Sequence, residues 1–349
     1  MRTLACGVDS LYLSFSGKVE EGLLDAFEAL KSEAQAASDP VPISFEEGRA
    51  TVVQPYGWGF YRYWIHCNDF ELHVARSEHV PPVYVRLSSL FLHSRGPEAA
   101  AAEVDAFVRA SLMTPAKPAT VSRIDLYTDF QGWEPVASDM DRFVTRSVHN
   151  EVYFEPVQGH QAGRRFSGFR FGRDQLVARL YEKSHEITQS GKDWMHGVWG
   201  QRYEPALPVW RLEFQFRRGV VGDFNLAAVC EVLSCRQDLW NYAMRWLSLR
   251  VVGETKERDR WALDQRWEQL AWQSFGVPVQ GVLRRRYRER QELVLVRGLS
   301  GYLTSHAALV GVRDYDRALG LASARVKTYI EGRGQTFSKL VANKRLRLV

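Results

Sequence analysis

The chain has 349 residues, of which 45% are hydrophobic, 25% are charged and only 13 are proline. That balance excludes a disordered polymer, a collagen-like fibre and a disulfide scaffold. The sequence contains no run of about 18 apolar residues, so no membrane span is expected. The opening residues reach Asp9 too soon for a secretory leader, so a cytoplasmic protein is expected. In chain order, Val8–Phe15 alternates as a strand, and Glu21–Ala37 spaces Leu23, Leu24, Phe27 and Leu30 as a helix. Segments 56–68 and 71–75 read as an aromatic hairpin around Asn68-Asp69, and Val83–Leu92 as a further strand. Glu98–Met113, led by Pro97, is a predicted helix. A strand over Val121–Phe130 and a helix over Ser138–Val148 follow. Gly168–Phe171 and Leu176–Lys183 form a hairpin across Gly172-Arg173-Asp174, and Val209–Arg217 is the last strand. Beyond Gly222 the periodicity turns helical and tryptophan-rich, with Trp240, Trp246, Trp261, Trp267 and Trp272 expected in a helical core. Tyr315–Glu331 is a helix ended by Gly332. With Thr336–Leu348 it suggests a helix-turn-helix or winged unit.

The fold class expected is therefore α+β. Antiparallel sheets carry helices on one face, and a mainly helical C-terminal domain follows. The boundary is placed between residues 1–220 and 221–349. An internal echo, Val8-Asp-Ser-Leu-Tyr-Leu-Ser-Phe15 against Ile124-Asp-Leu-Tyr-Thr-Asp-Phe130, suggests a duplicated ββα-type unit. The four cysteines, Cys6, Cys67, Cys230 and Cys235, match no zinc spacing and are expected to be buried thiols.

The net charge of +5 hides an asymmetry. Residues 219–349 hold 22 basic and 13 acidic side chains, net +9, which leaves the first 218 residues at net −4. An acidic front with a basic back suits a site for a cation beside a surface for a polyanion. Residues 284–290, Arg-Arg-Arg-Tyr-Arg-Glu-Arg, concentrate this charge. Arg284, Arg285, Arg286, Arg288 and Arg290 are the predicted DNA contacts.

Alternation along three strands gathers the chemistry. Arg123, Asp125, Tyr127 and Asp129 share one face, as do Arg179, Tyr181 and Lys183, and as do Arg211, Glu213, Gln215 and Arg217. A simply solvated face would favour Lys, Glu and Thr. Arg, Asp, Tyr and Glu are the types that bind anions and metals. Asp125, Asp129 and Glu213 are candidate oxygen ligands for Mg²⁺ or Mn²⁺. Tyr181, flanked by Arg179 and Lys183, is a candidate nucleophile whose phenolate the neighbouring cations would favour.

Val121-Ser-Arg-Ile-Asp-Leu-Tyr-Thr-Asp-Phe130, Arg179-Leu-Tyr-Glu-Lys183 with Glu186, and Trp210-Arg-Leu-Glu-Phe-Gln-Phe-Arg217 resemble, in order and spacing, the motifs of the replication initiation factor (Rep-trans) family. This family contains rolling-circle initiators of plasmids, phage replication proteins and relaxases of conjugative elements. The resemblance spans about residues 5–220. It implies a metal-dependent DNA nickase and strand transferase acting through a 5′-phosphotyrosyl intermediate. Tyr181 would be the nucleophile, Asp125, Glu213 and Asp129 the metal acids, and Arg179, Lys183 and Arg211 the phosphate holders. The partner implied is origin DNA, with a helicase and a second copy of the chain as further candidates. The chain departs from the family at Gly172-Arg173-Asp174-Gln175, which lacks the usual serines, and Tyr127 is the second candidate nucleophile. The competing reading is a catalytically silent DNA-binding regulator on the same fold.

Overall fold

The computed structural model describes residues 1–341 except 46–48, 78, 157–163 and 283; for residues 285–291 and 294 it describes the backbone alone. The fold is α+β, built on an 11-stranded antiparallel sheet. The first half comprises β1 (Arg2–Phe15), α1 (Glu21–Ala37), β2 (Val41–Ile43), β3 (Thr51–Val53), β4 (Tyr63–His66), β5 (Phe70–Val74) and β6 (Val83–Leu87), then α2 (Ser89–Arg95) and α3 (Pro97–Ser111). The second comprises β7 (Thr120–Gln131), β8 (Phe143–Thr145), β9 (Asn150–Pro156), β10 (Arg164–Phe171), β11 (Leu176–Glu182), α4 (Lys183–Ser190), α5 (Met195–Trp199) and β12 (Trp210–Arg217).

Strand order is β2-β3-β4-β5-β6-β1-β7-β12-β11-β10-β9. The two halves therefore meet at the antiparallel β1–β7 pair and run outward alike. From the centre, β1, β6, β5, β4 and β3 match β7, β12, β11, β10 and β9. The echo in the sequence falls on the two central strands, as a duplicated unit requires.

One face of the sheet is apolar and wholly buried. Leu11, Leu13, Leu72, Val85, Ile124, Leu126, Leu180, Leu212 and Phe214 are all 0% exposed. Phe27 of α1 packs on Tyr63, and Phe107 of α3 packs on Phe70. Burial of such side chains, worth roughly 1.5–3 kcal/mol each, fixes which way every strand faces.

The predicted helix over 138–148 is instead a short 3₁₀ turn followed by β8. Phe143 turns inward against Phe169, Phe171 and Trp267, which outweighs local helix propensity. The remaining elements are α6 (Arg218–Asp223), α7 (Val229–Ser234), α8 (Arg236–Trp246), β13 (Leu247–Leu249), α9 (Gln265–Ala271), α10 (Arg285–Val310) and α11 (Tyr315–Gly332). β13 pairs with β8.

The chain divides into two compact units, 1–222 with 226–278, and 223–225 with 279–349. The tryptophan-rich segment thus belongs with the sheet: Trp240 packs edge-on to Phe214, and both it and Trp267 are fully buried. Trp272, by contrast, is exposed. In the second unit α10 and α11 form a hairpin. Gly311 ends α10 in the left-handed region (φ 70°), and Asp314 caps α11 through Arg317 N. Of the cysteines, Cys67 and Cys235 are buried, Cys6 is half-buried and Cys230 is exposed.

Candidate active site

The face opposite the core carries the predicted polar residues, and the ladder aligns them. Across β7 and β12, Arg211 sits opposite Asp129, Glu213 opposite Tyr127 and Gln215 opposite Asp125. Across β12 and β11, Tyr181 faces Arg211 and Arg179 faces Glu213. Directly opposed residues in an antiparallel ladder share a face, so three distant segments meet in one cluster. This face is not a solvated one. Asp125, Asp129, Lys183, Arg211 and Glu213 are each under 5% exposed. Buried ionisable groups are costly, and their clustering in a cleft marks a functional site.

Helices α4 and α5 cover one end. Ile187, Met195 and Trp199 pack with Leu4 and Val209 in a small separate core. Trp199 Nε1 donates to Asp129 at 2.8 Å. Arg211 then clamps the same carboxylate through Nε (2.6 Å) and Nη2 (2.8 Å) and reaches Asp9 through Nη1 (2.6 Å). Its guanidinium lies 3.9 Å from the Tyr127 ring centroid. His93 Nδ1 is 2.6 Å from the Ser89 carbonyl, so that nitrogen carries the proton and the Tyr127 hydroxyl donates to Nε2 at 2.8 Å. Burial lowers the His93 pKa, keeping the ring neutral. Burial, then the charge of Asp129, holds the Tyr127 hydroxyl far above its usual range.

Arg211, Asp129 and Tyr127 therefore form a dry floor beneath the site. Above it lies an open cleft of about 480 Å³, whose wall includes Arg123, Asp125, Arg179, Tyr181, Lys183 and Glu213. The Tyr181 hydroxyl donates to Glu213 Oε2 at 3.2 Å, and Arg179 pairs with Glu213 Oε1 at 2.9 Å. Arg123 grips Asp125 through Nε at 2.8 and 3.1 Å. Lys183 pairs with Glu186, and its Nζ lies 5.9 Å from the Tyr181 ring centroid.

The electrostatics revise one expectation. Burial, followed by the Glu213 charge, pushes the Tyr181 hydroxyl well above its ordinary range, and Arg211 opposes this only in part. Tyr181 thus rests as a phenol on a carboxylate rather than as a cation-stabilised phenolate. Burial raises the Asp125 carboxyl to about 7, with the Glu213 charge adding to the rise and Arg123 opposing it. Burial and Arg211 lower Lys183.

Both Asp129 oxygens are engaged, and among the described residues no three of His, Cys, Asp and Glu converge as a metal cluster. Of the three predicted ligands, Asp125 and Glu213 line the cleft, each held by arginine, and Asp9, Glu182 and Glu186 line it too. Of the predicted DNA-binding arginines, Arg284 pairs with Asp223 at 2.7 Å. The side chains of Arg285, Arg286, Arg288 and Arg290 lie outside the described residues.

The chain is similar to the uncharacterized protein ORF430 of Pseudomonas phage Pf1. Identity is 28% over 171 residues, and the match covers 40% of this chain and 39% of that protein. No protein-family model matches. Among solved structures, the chain is similar to the rolling circle replication initiator protein from Geobacillus stearothermophilus. The TM-score is 0.47 at 17% identity, over 76% of this chain and 94% of the other.

Sequence reasoning missed Asp9, His93 and Trp199 as parts of the site. The echo of Asp9 with Asp125 was the available signal for the first. His93 and Trp199 arrive from helices whose contact with the floor no spacing reveals.

Proposed function

We propose that the protein nicks one DNA strand and rejoins it through Tyr181, as in initiation of rolling-circle replication. The observation that carries the reading is the Tyr181 hydroxyl bonded to Glu213 on the wall of a cleft lined by Arg179 and Lys183. A base within hydrogen-bond reach offsets the raised pKa of the phenol by taking its proton as attack begins. In the step proposed, the Tyr181 oxygen bonds to phosphorus, its proton passes to Glu213 and the phosphorus–O3′ bond breaks. Lys183, made more acidic by burial, gives the departing 3′ oxygen its proton. The products are a 5′-phosphotyrosyl chain and a free 3′-hydroxyl, and reversal of the step reseals the strand.

A bound Mg²⁺ or Mn²⁺ would supply Lewis-acid polarisation of the phosphoryl oxygens. Asp125 and Glu213 would hold it, and their arginine partners, Arg123 and Arg179, would then be released toward the DNA phosphates. Arg211 serves from beneath by holding Asp9 and Asp129. The motif resemblance over residues 5–220 supports the same assignment.

The test is a supercoiled plasmid carrying sequence from the chain's own genetic element, with Mg²⁺ or Mn²⁺ against chelator. Wild type is expected to give nicked circles and a protein–DNA adduct on denaturing gels. Tyr181→Phe should abolish both, by at least about 10³-fold. Nicking by Tyr181→Phe at the wild-type rate would refute the nucleophile.

A further inference from the structure

The half of the sheet that lacks the tyrosine site uses the same face for rings. Where β11 presents Arg179 and Tyr181, its counterpart β5 presents Glu71 and His73. Where β12 presents Arg211 and Glu213, β6 presents Tyr84 and Arg86. Tyr12 of β1 stands opposite Arg123 of β7 in the ladder.

These rings form a connected layer. Tyr12 meets Tyr84 at 6.0 Å between centroids, Tyr84 meets Tyr61 at 5.5 Å, and Trp64 stacks on His73 at 5.9 Å and 16°. Trp58 stacks on Tyr61 at 6.4 Å and 11°. Cations sit on the layer: Arg86 and Arg123 lie 5.0 and 4.8 Å from the Tyr12 centroid. Arg123 also grips Asp125, so the layer runs without a break into the catalytic cleft.

A core would hide such rings. Here Tyr61 and His73 are buried, but Trp58 of the layer is 64% exposed, and Tyr56 and Phe60 beside it in the loop before β4 are 71% and 63% exposed. Beneath them, buried polar atoms lack partners: Trp64 Nε1 and His73 Nδ1 have no hydrogen-bond partner among the described residues. His73 is 3% exposed, with Nε2 3.5 Å from Glu71 Oε2. A ligand with flat apolar faces, hydrogen-bonding edges and a negative backbone satisfies all three features at once. Unstacked bases have the faces and edges, and phosphates would share Arg86 with Glu71, its partner at 3.0 Å, and Arg123 with Asp125.

We propose that Tyr12, Trp58, Trp64 and Tyr84, with Arg86 and Arg123, form a platform for single-stranded DNA adjoining the nick site. This rests on the nicking reading for its biological role. The platform would hold unpaired strand beside the cleft, and duplex, whose bases are already stacked, would engage it less.

The test uses the intact protein and needs no cleavage. Fluorescence anisotropy with a labelled oligothymidylate of about 20 nucleotides should show tighter binding than with a duplex of equal length. Trp58→Ala and Arg86→Gln should each weaken oligothymidylate binding about tenfold, with the Trp58→Ala loss persisting at high salt. Arg109→Gln, on α3 against the opposite sheet face, should change it less than about twofold. Thermal melts check the fold of each variant. Ultraviolet crosslinking of bromouracil-substituted oligonucleotide to wild type gives a readout that no variant's folding can confound, and adducts should map to residues 10–14, 52–64 or 84–86. Wild-type affinity in folded Trp58→Ala and Arg86→Gln, equal loss in Arg109→Gln, equal binding of duplex, or crosslinks confined to other segments would each overturn the proposal. The two readings fail separately. Platform binding without any nicking discards the Tyr181 chemistry alone, and nicking without Trp58-dependent binding discards the platform alone.

Discussion

Arg211 shows how one buried side chain organises a site. It is 0% exposed and answers two carboxylates, Asp129 and Asp9, while its flat face covers Tyr127. Burial and the Arg211 charge are the largest influences on Asp9, and their balance leaves its carboxyl lowered, at about 2. Removing the guanidinium would strand the buried Asp129 carboxylate and leave half-buried Asp9 without its arginine. Arg211→Ala should therefore cost about 3–5 kcal/mol, read as a fall in the urea midpoint, and should abolish nicking. The residue also illustrates a limit of reading by type. An arginine on the polar face of a strand looks like a phosphate ligand, yet here it is sealed below the cleft while Arg179 and Lys183 line it.

Elements place these residues, and small ones govern the placement. Gly168 on β10 lies opposite Tyr181 at a bulge, with φ +150°. A Cβ there would meet the Leu180 carbonyl oxygen at 2.2 Å and the Tyr181 Cα at 2.9 Å. Gly168→Ala should therefore cost on the order of 2 kcal/mol and push β11 sideways. Nicking should fall further than the loss of folded protein explains, measured at a temperature where the variant remains folded.

A second element-scale device is Asp264, which caps α9 through Arg266 N at 2.9 Å and ties Arg142 and Arg266 to the β8–β13 ribbon. Burial would raise its carboxyl, but the Arg266 and Arg142 bonds prevail and lower it from 3.8 to about 2. A carboxyl held below its unfolded value stabilises the fold above about pH 4, and that contribution disappears as pH falls through about 2. The unfolding free energy of wild type, from urea titrations, should thus drop between pH 4 and 2 by about 2 kcal/mol more than that of Asp264→Asn.

At the scale of the whole molecule, the charge division is sharper than the first boundary suggested. Once 226–278 joins the sheet unit, residues 279–349 hold 15 basic and 5 acidic side chains, net +10, and residues 1–278 are net −5. On the proposed function, DNA held by a tail of that charge would release counterions, so affinity should fall steeply and linearly on log–log axes as salt rises. Arg317 and Arg325 are exposed on α11. Their joint replacement by Gln should weaken binding for all sequences alike and reduce the salt slope by about 2, measured by titration across salt concentrations.

The sequence by itself determined the alternating strands and therefore the membership of each face, because side-chain direction along a strand has period two and needs no partner to define it. Arg123, Asp125, Arg179, Tyr181 and Glu213 were legible for that reason, as were α1, α11 and the central echo. The tertiary structure alone decided how the strands are ordered and registered, and so which charges touch. That choice set Tyr181 on Glu213, buried Arg211 under Asp129, and brought His93 and Trp199 in from helices far along the chain. It also assigned the tryptophan segment to the sheet. Composition there signalled burial, but the surface that buries Trp240 belongs to β12, and only packing could choose it. Pair energies depend on distance and desolvation, neither of which is written in the order of residues.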